Sequence, residues 1–342
     1  MEGAKVLVTG GSGFIARHCV LQLLHRGASV RVTVRSEAMF QSLMADLAKH
    51  IGTRADQLAV EHVVADLDAD DNWDLAAAGV RFVLHVAAPM PATLGSDTES
   101  ARIAPRLQMA RLVDSFRAGG VDKVVHVSSI AAVWYGKDDC AKIFDETDWT
   151  DIEHPANNPY TISKTVAERA GWELVGKPDS LLRWTAVNPV FVLGQPIGRA
   201  KGAANEIIDL LIGGKLPGVP RLGYSIVDVR DVVDLLLSAM VSRACDGQRL
   251  VASTGYVSVA DMVAEIRREF PDLAPHLPTK AMGDSVIRMA ARVSPLLRNE
   301  IINLGIERRA SSVKAHELLN WKPRDTTETI LDTVRYLLER NE

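Results

Sequence analysis

Cysteine is scarce: Cys19, Cys140 and Cys245 are the only three in 342 residues. They are too few and too scattered for a disulfide framework or a zinc knuckle, which leaves buried free thiols in a reducing cytoplasm as the expectation. No apolar stretch approaches the roughly 18 residues of a membrane-spanning helix. No pair of histidines has the spacing of metal ligands, so no metal site is expected. An excess of one charge is missing too, since 39 Lys and Arg face 43 Asp and Glu for a net charge of −4. Nucleic acids and anionic membranes both demand a basic surface, so neither is expected as a partner. The stretch Met1–Lys5 is too short for a targeting segment, and repeats and low-complexity segments are absent.

What is present is an ordinary globular composition, 47% hydrophobic and 24% charged, in a chain long enough for one large domain or two. Strand-like runs at Lys5–Thr9, Ser29–Val34, Leu58–Val64, Arg81–Val86, Lys123–Ser128 and Leu181–Val187 alternate with helical stretches. The latter fall at Phe14–Arg26, Glu37–His50, Asp70–Ala78, Glu99–Ala118 and from Pro159 onward. Such alternation predicts βαβ units and a parallel sheet. After Asn188 it weakens, Gly and Pro cluster at Gly194–Gly202 and Gly213–Gly223, and most later segments read as helices. The expected fold is α/β, a Rossmann-type doubly wound parallel sheet with a smaller, mostly helical C-terminal substrate domain. The boundary is set at 1–188 for dinucleotide binding and 189–342 for mainly substrate binding, with Gln248–Ala252 as a strand that could return to the sheet.

The run Thr9-Gly10-Gly11-Ser12-Gly13-Phe14-Ile15-Ala16 joins the first strand to the first helix. Gly10 permits the tight turn, and Gly13 lets the backbone approach a pyrophosphate resting on free N–H groups at the helix start. The spacing is G-x-x-G-x-x-A, with Ala16 where a third glycine would allow close helix–strand packing. A glycine turn that opens a βαβ unit reads as a dinucleotide site rather than a plain structural turn. The second strand ends in Val34-Arg35-Ser36, without the acidic residue that would accept a ribose hydroxyl. Arg35 could instead meet a 2′-phosphate, which points to NADP(H). Glu37 keeps NAD(H) open. Asp66-Leu67 closes the third strand, where an adenine could lie. Asp66, Asp68, Asp70 and Asp71 do not make a calcium loop, because Asp71 and Ala77 stand where that loop needs Gly and Glu.

In Asn157-Asn158-Pro159-Tyr160-Thr161-Ile162-Ser163-Lys164, Pro159 suits the first helical position and Asn158 the cap. Tyr160 and Lys164 then share a face one turn apart. An ammonium near a phenol favours the phenolate, making Tyr160 an acid–base group for a carbonyl/alcohol pair. Ser128-Ser129 ends the fifth strand, where this fold places ligands. Ser129 is the hydroxyl expected to face the site, and Ser128 is its alternative.

The segments TGGSGFIA, ADL, HVAAPM (His85–Met90), VSS and YTISK, in this order and spacing, resemble the extended type of the short-chain dehydrogenase/reductase superfamily. VTVRS and NPYTISKTVAE are most similar to the branch of dihydroflavonol reductases, cinnamoyl-CoA reductases and related aldehyde/ketone reductases. The resemblance spans residues 4–195 and continues more weakly through Ser225–Asp234 and Asn320–Arg324. It implies an NADPH-dependent carbonyl reductase with Tyr160 as proton donor, Lys164 on the nicotinamide ribose and Ser129 on the substrate oxygen. Gly10, Ser12, Gly13, Phe14, Ile15 and Arg35 would hold the cofactor, with Asp66 and Leu67 at the adenine. Ala87, Ala88 and Pro89 would line its trough, and Asn188, Pro189 and Val190 would lie near the carboxamide. One departure is Ala110, which stands where the family often carries Asn in the helix before the fifth strand. His85 and His126 read as core histidines rather than catalytic ones.

Met90, Val133, Trp134, Phe191 and Tyr224 would give the substrate pocket an apolar, partly aromatic cast, fitting a hydrophobic or aromatic carbonyl compound. Two rival functions share features with this reading: a nucleotide-sugar epimerase or dehydratase with tightly bound NAD, and a non-catalytic NADP-sensing regulator. The helices at Glu99–Ala118 and Pro159–Gly176 could pair in a homodimer.

Overall fold

A computed structural model describes residues 3–69, 71–88, 97–137, 142–176, 181–200, 202–292 and 294–339. The first half alternates strictly: β1 (Lys5–Thr9), α1 (Phe14–His25), β2 (Ser29–Val34), α2 (Glu37–Ile51), β3 (Val60–Val64), α3 (Trp73–Ala77), β4 (Phe82–His85), α4 (Thr98–Ala118) and β5 (Lys123–Val127). A short β6 (Ile143–Phe144) precedes α5 (Pro159–Val175) and β7 (Arg183–Pro189). Then follow β8 (Phe191–Leu193), α6 (Ala203–Ile212), β9 (Val219–Pro220), β10 (Gly223–Asp228), α7 (Val229–Val241), β11 (Arg249–Ala252), β12 (Gly255–Ser258) and α8 (Val259–Glu269). The chain closes with β13 (Ala281–Met282), α9 (Asp284–Ala290), α10 (Pro295–Glu300), β14 (Arg309–Ala310), α11 (Val313–Leu319) and α12 (Thr326–Glu339).

Seven strands form one sheet in the order β11-β7-β5-β4-β1-β2-β3, every pairing parallel. The chain builds outward from β1 to β3, then crosses back to lay β4 on the other side of β1. Ligand crevices open at such a reversal, outside the carboxyl ends of the strands. The register pairs Thr9 with His85 there, so the glycine turn and the segment after β4 share one edge.

Alternation along the central strands feeds two layers, as the period of two dictates. Val6 and Val8 point into a core with Cys19, Leu23 and the α7 residues Val232 and Leu236. Leu7 and Val124 point the other way, to Met109, Phe116 and Trp184. A second core, with Leu193, Ile208, Ile226, Met262 and Val334, sits beneath a three-stranded sheet in the order β12-β10-β8. Arg249–Ala252 joins the large sheet beside β7, although the strands on either side of it in sequence, β10 and β12, pair with each other in the three-stranded sheet. Cys19 and Cys245 are buried free thiols, and Cys140 lies outside the described residues. No helix among the described residues is long and apolar enough to cross a membrane.

Candidate active site

The glycine turn follows from what side chains would strike. Gly10 has φ +66°, and a Cβ there would lie 3.0 Å from the Ala87 Cα. The sequence reading gave Gly11 no role, yet a Cβ on it would come within 2.7 Å of the Val32 Cβ. Two hydrogen bonds fasten the turn to β2: Gly10 N–H to Thr33 Oγ1 at 2.9 Å and Gly11 N–H to the Thr33 carbonyl at 2.8 Å. Gly13 caps α1 without any side chain, so the first-turn amides of Phe14, Ile15 and Ala16 are not covered by a cap. Ser12 and Phe14 are partly exposed beside them, and the Ser12 carbonyl accepts from Arg17 Nε at 3.0 Å. A pyrophosphate suits this cradle of uncapped amides on a helix N-terminus.

At the tip of β2, Arg35 is exposed and makes no hydrogen bond or ion pair with the described residues. Glu37, the residue that kept NAD open, is committed elsewhere. It accepts from Gln41 at 2.7 Å and from His62 Nε2 at 2.7 Å, and these bonds hold its carboxyl below the usual range. The uncommitted charge at this tip is therefore positive, which suits a 2′-phosphate. After β3, Asp66 Oδ1 turns back to accept from the Asp68 amide at 3.0 Å, and Leu67 is half-buried. Two α4 residues that the sequence reading missed shape this loop. Arg111 donates to the Leu67 and Ala69 carbonyls at 2.9 and 2.8 Å, and Gln108 donates to Asp68 at 2.7 Å. Nothing in the local sequence flags them, because their partners are some 40 residues away.

Ala87 and Ala88 leave β4 half-buried, and Thr9 Oγ1 accepts from the Val86 and Ala87 amides at 3.0 Å each. With both lone pairs used, its hydroxyl donates to His85 Nδ1 at 2.9 Å, which places the ring proton on Nε2. Burial drives the His85 pKa down to about 3, so the ring is neutral. His126 is also held neutral by burial, stacked between His85 and Trp184, but neither of its ring nitrogens has a partner among the described residues. Pro89 and Met90 lie outside the described residues.

Asn158 caps α5 by accepting from the Thr161 amide at 2.9 Å, with Pro159 at the first turn. This start angle aims Tyr160 at the end of β5, where its Oη lies 3.4 Å from Ser129 Oγ. Ser129 caps the single 3-10 turn at 130–132, which turns its side chain toward α5. Ser128 points away, donating to Glu168 at 2.5 Å in the interior. Lys164 is buried, and Nζ donates to the Val127 carbonyl at 3.2 Å. Burial lowers its pKa from 10.5 to about 8, opposed by the charge of Glu168. The sequence reading expects Lys164 to pull the Tyr160 phenol down. Instead burial raises that phenol, and the Ser129 hydrogen bond offsets part of the rise.

Asn188 is fully enclosed, donating to the Ser129 carbonyl at 3.1 Å and to Glu168 at 2.6 Å. Pro189 and Val190 follow it at the buried end of β7. Two of the expected pocket residues need correction. Val133 is 0% and Trp134 7% exposed, both inside the main core, because the 3-10 turn folds them under Tyr135 and Phe144 rather than over the site. Phe191 is half-buried and stacks on Tyr224 at 4.2 Å, and Tyr224 donates to Glu300 at 3.0 Å. Glu300, which the sequence reading missed, is partly exposed, and burial raises its carboxyl pKa.

The family model described as "NAD dependent epimerase/dehydratase family" matches residues 6–251. NADPH-dependent methylglyoxal reductase GRE2 of Saccharomyces cerevisiae is 27% identical over 98% of both chains. Cinnamoyl-CoA reductase 2 of Arabidopsis thaliana is 30% identical over 90% of this chain and 89% of its own. Among solved structures, yeast methylglyoxal/isovaleraldehyde reductase Gre2 complexed with NADPH superimposes with a TM-score of 0.78 at 26% identity, covering 98% of this chain and 99% of that one.

Proposed function

Because the chain belongs to the NAD-dependent epimerase/dehydratase family, in its dihydroflavonol and cinnamoyl-CoA reductase-like branch, we propose that it is an NADPH-dependent reductase of small aldehydes or ketones. The observation that carries the reading is the Tyr160 Oη set 3.4 Å from Ser129 Oγ, one helical turn before a buried Lys164. The residues at the glycine turn and at the tip of β2 fit NADPH: uncapped amides for its pyrophosphate and Arg35 for its 2′-phosphate. Bound there, NADPH supplies the hydride that reaches the carbonyl carbon.

The protein does the rest. Ser129 Oγ–H orients the carbonyl oxygen, and the Tyr160 phenol donates the proton that the new alcohol needs. A phenol raised by burial stays protonated at neutral pH, which is the state a proton donor requires. Lys164, an ammonium below about pH 8, steadies the negative charge left on Tyr160 and holds the nicotinamide ribose. The stack of half-buried Phe191 on buried Tyr224 supports an apolar or aromatic substituent on the substrate. The relatives' reductase names and the uncommitted Arg35 favour reduction over an epimerase that retains NAD and over a silent NADP sensor.

We also read residues 1–188 as the cofactor half and 189–342 as mainly the substrate half. Buried free thiols are in keeping with the cytoplasm. Ile103 and Leu107, 49% and 60% exposed one turn apart on α4, support a homodimer through α4 and α5. The test of function is a carbonyl panel with NADPH and NADH side by side, with Tyr160→Phe as control. The variant should lose about 10²–10⁴-fold in turnover while still quenching on NADPH addition. A variant as fast as the parent would overturn the reading.

A further inference from the structure

Glu168 is completely buried, yet it carries a carboxylate that no part of the chemistry above uses. Five hydrogen bonds converge on it. Oε2 accepts from Ser128 Oγ at 2.5 Å, from Asn188 Nδ2 at 2.6 Å and from Arg249 Nη2 at 3.4 Å. Oε1 accepts from Arg249 Nε at 2.6 Å and from Trp172 Nε1 at 3.3 Å. The donors come from four separate elements: the end of β5, the end of β7, β11 and α5 itself. Three of these elements carry the proposed site residues: Ser129 follows Ser128, Tyr160 and Lys164 lie two and one turns before Glu168 on α5, and Asn188 also holds the Ser129 carbonyl. Arg249 extends the network, lying over the Trp149 ring at 3.7 Å and donating to the Glu146 and Asp148 carbonyls.

We propose that Glu168 is the positioning residue of this site: its carboxylate pins the ends of β5 and β7 to α5 and presents its charge to Lys164, one turn away on the same helix. The proposal rests on the Tyr160–Lys164 reading and names what holds that pair in place. Among the described residues, Lys164 faces Glu168 on its own helix, His126 on β5 and His85 on β4. The two histidines are neutral, so Glu168 is the one anion recorded in that surrounding. Burial alone pushes Lys164 toward the neutral amine, and Glu168 opposes it. Arg249 lies beyond the carboxylate, on β11, and competes with Lys164 for its charge.

Two charge changes therefore act in opposite directions. Glu168→Gln with Arg249→Met removes the buried pair together, a replacement that buried ion pairs often tolerate. The Gln carbonyl can still accept from Ser128 and Asn188, so those two bonds are kept while the charge and the Trp172 bond are lost. The alkaline limb of kcat/KM, which reports loss of the Lys164 proton, should move down by about one pH unit. Arg249→Met alone leaves Glu168 to Lys164, and the same limb should move up. A readout without cofactor or turnover accompanies them, a thermal-unfolding cycle with Lys164→Met. That substitution should raise Tm by about 2 °C more in the charge-free pair than in the parent. A role confined to mechanical bracing predicts no difference in the cycle and limbs that stay in place, and that result overturns the proposal. If the double variant does not fold, Arg249→Met decides: a limb that stays or moves down overturns it. A parent enzyme with no alkaline limb at all indicts the Tyr160–Lys164 reading instead, so the two failures are distinct.

Discussion

Lys164→Met should make the protein more stable and nearly inactive at once. Burial lowers the Lys164 pKa from 10.5 to about 8, so the folded state holds the ammonium less willingly than the unfolded chain does. At pH 7 both states carry the proton, and the shift of about 2.5 units corresponds to about 3 kcal/mol of lost stability at 1.36 kcal/mol per unit. The variant removes that cost but also takes the donor from the Val127 carbonyl, worth about 1 kcal/mol. The net gain is about 2 kcal/mol. With an unfolding entropy of about 2.1 cal/mol/K per residue over 342 residues, this is a rise of about 3 °C in Tm. The sign of the pH dependence follows from a depressed amine. The cost is complete below pH 8, fades as pH rises through 8 toward 10.5, and is gone above it. Differential scanning fluorimetry of parent and variant between pH 7 and 10.5 should therefore show the Tm gap closing and reversing sign as the lost hydrogen bond takes over. Turnover of the variant should fall at least about 10²-fold. A gap that is constant across this range, or a variant less stable at pH 7, would refute the account of Lys164 as a destabilised ammonium.

Arg35→Ala should raise the KM for NADPH by about 10–100-fold with little change for NADH, since it removes a charge-assisted contact to a group NADH lacks; steady-state kinetics with both cofactors check it. Equal losses for the two would remove Arg35 from the phosphate site. Leu107→Glu puts a charge into the exposed pair on α4 and should convert a dimer to a monomer in sedimentation velocity, with the parent sedimenting as a dimer.

The first half of the fold was legible because local pattern and tertiary role coincide there. The β1 and β2 spans match their predicted ends, and Asn158 and Pro159 start α5 as their chemistry requires. In the second half the helices and the returning strand at Gln248–Ala252 were legible too, whereas β10 was not: Gly223–Asp228 is buried throughout, and a six-residue run that mixes Gly, Ser and Asp with apolar residues shows no clean period. In the site, residues drawn together by a motif were readable, whereas Arg111, Gln108, Glu168 and Glu300 owe their roles to partners far away in sequence. Val133 and Trp134 were misplaced for a related reason: apolar type beside the proposed site serine does not say which way a one-turn helix rolls them.

The edge strand at Arg249–Ala252 has a practical corollary for anyone who would re-engineer selectivity. Cutting after residue 188 would strip a ladder of hydrogen bonds from β7 and delete the guanidinium that neutralises Glu168. A graft of foreign loops must therefore be spliced as two pieces around this native stave, and a fragment ending at residue 188 and expressed alone would be left with a raw, aggregation-prone flank.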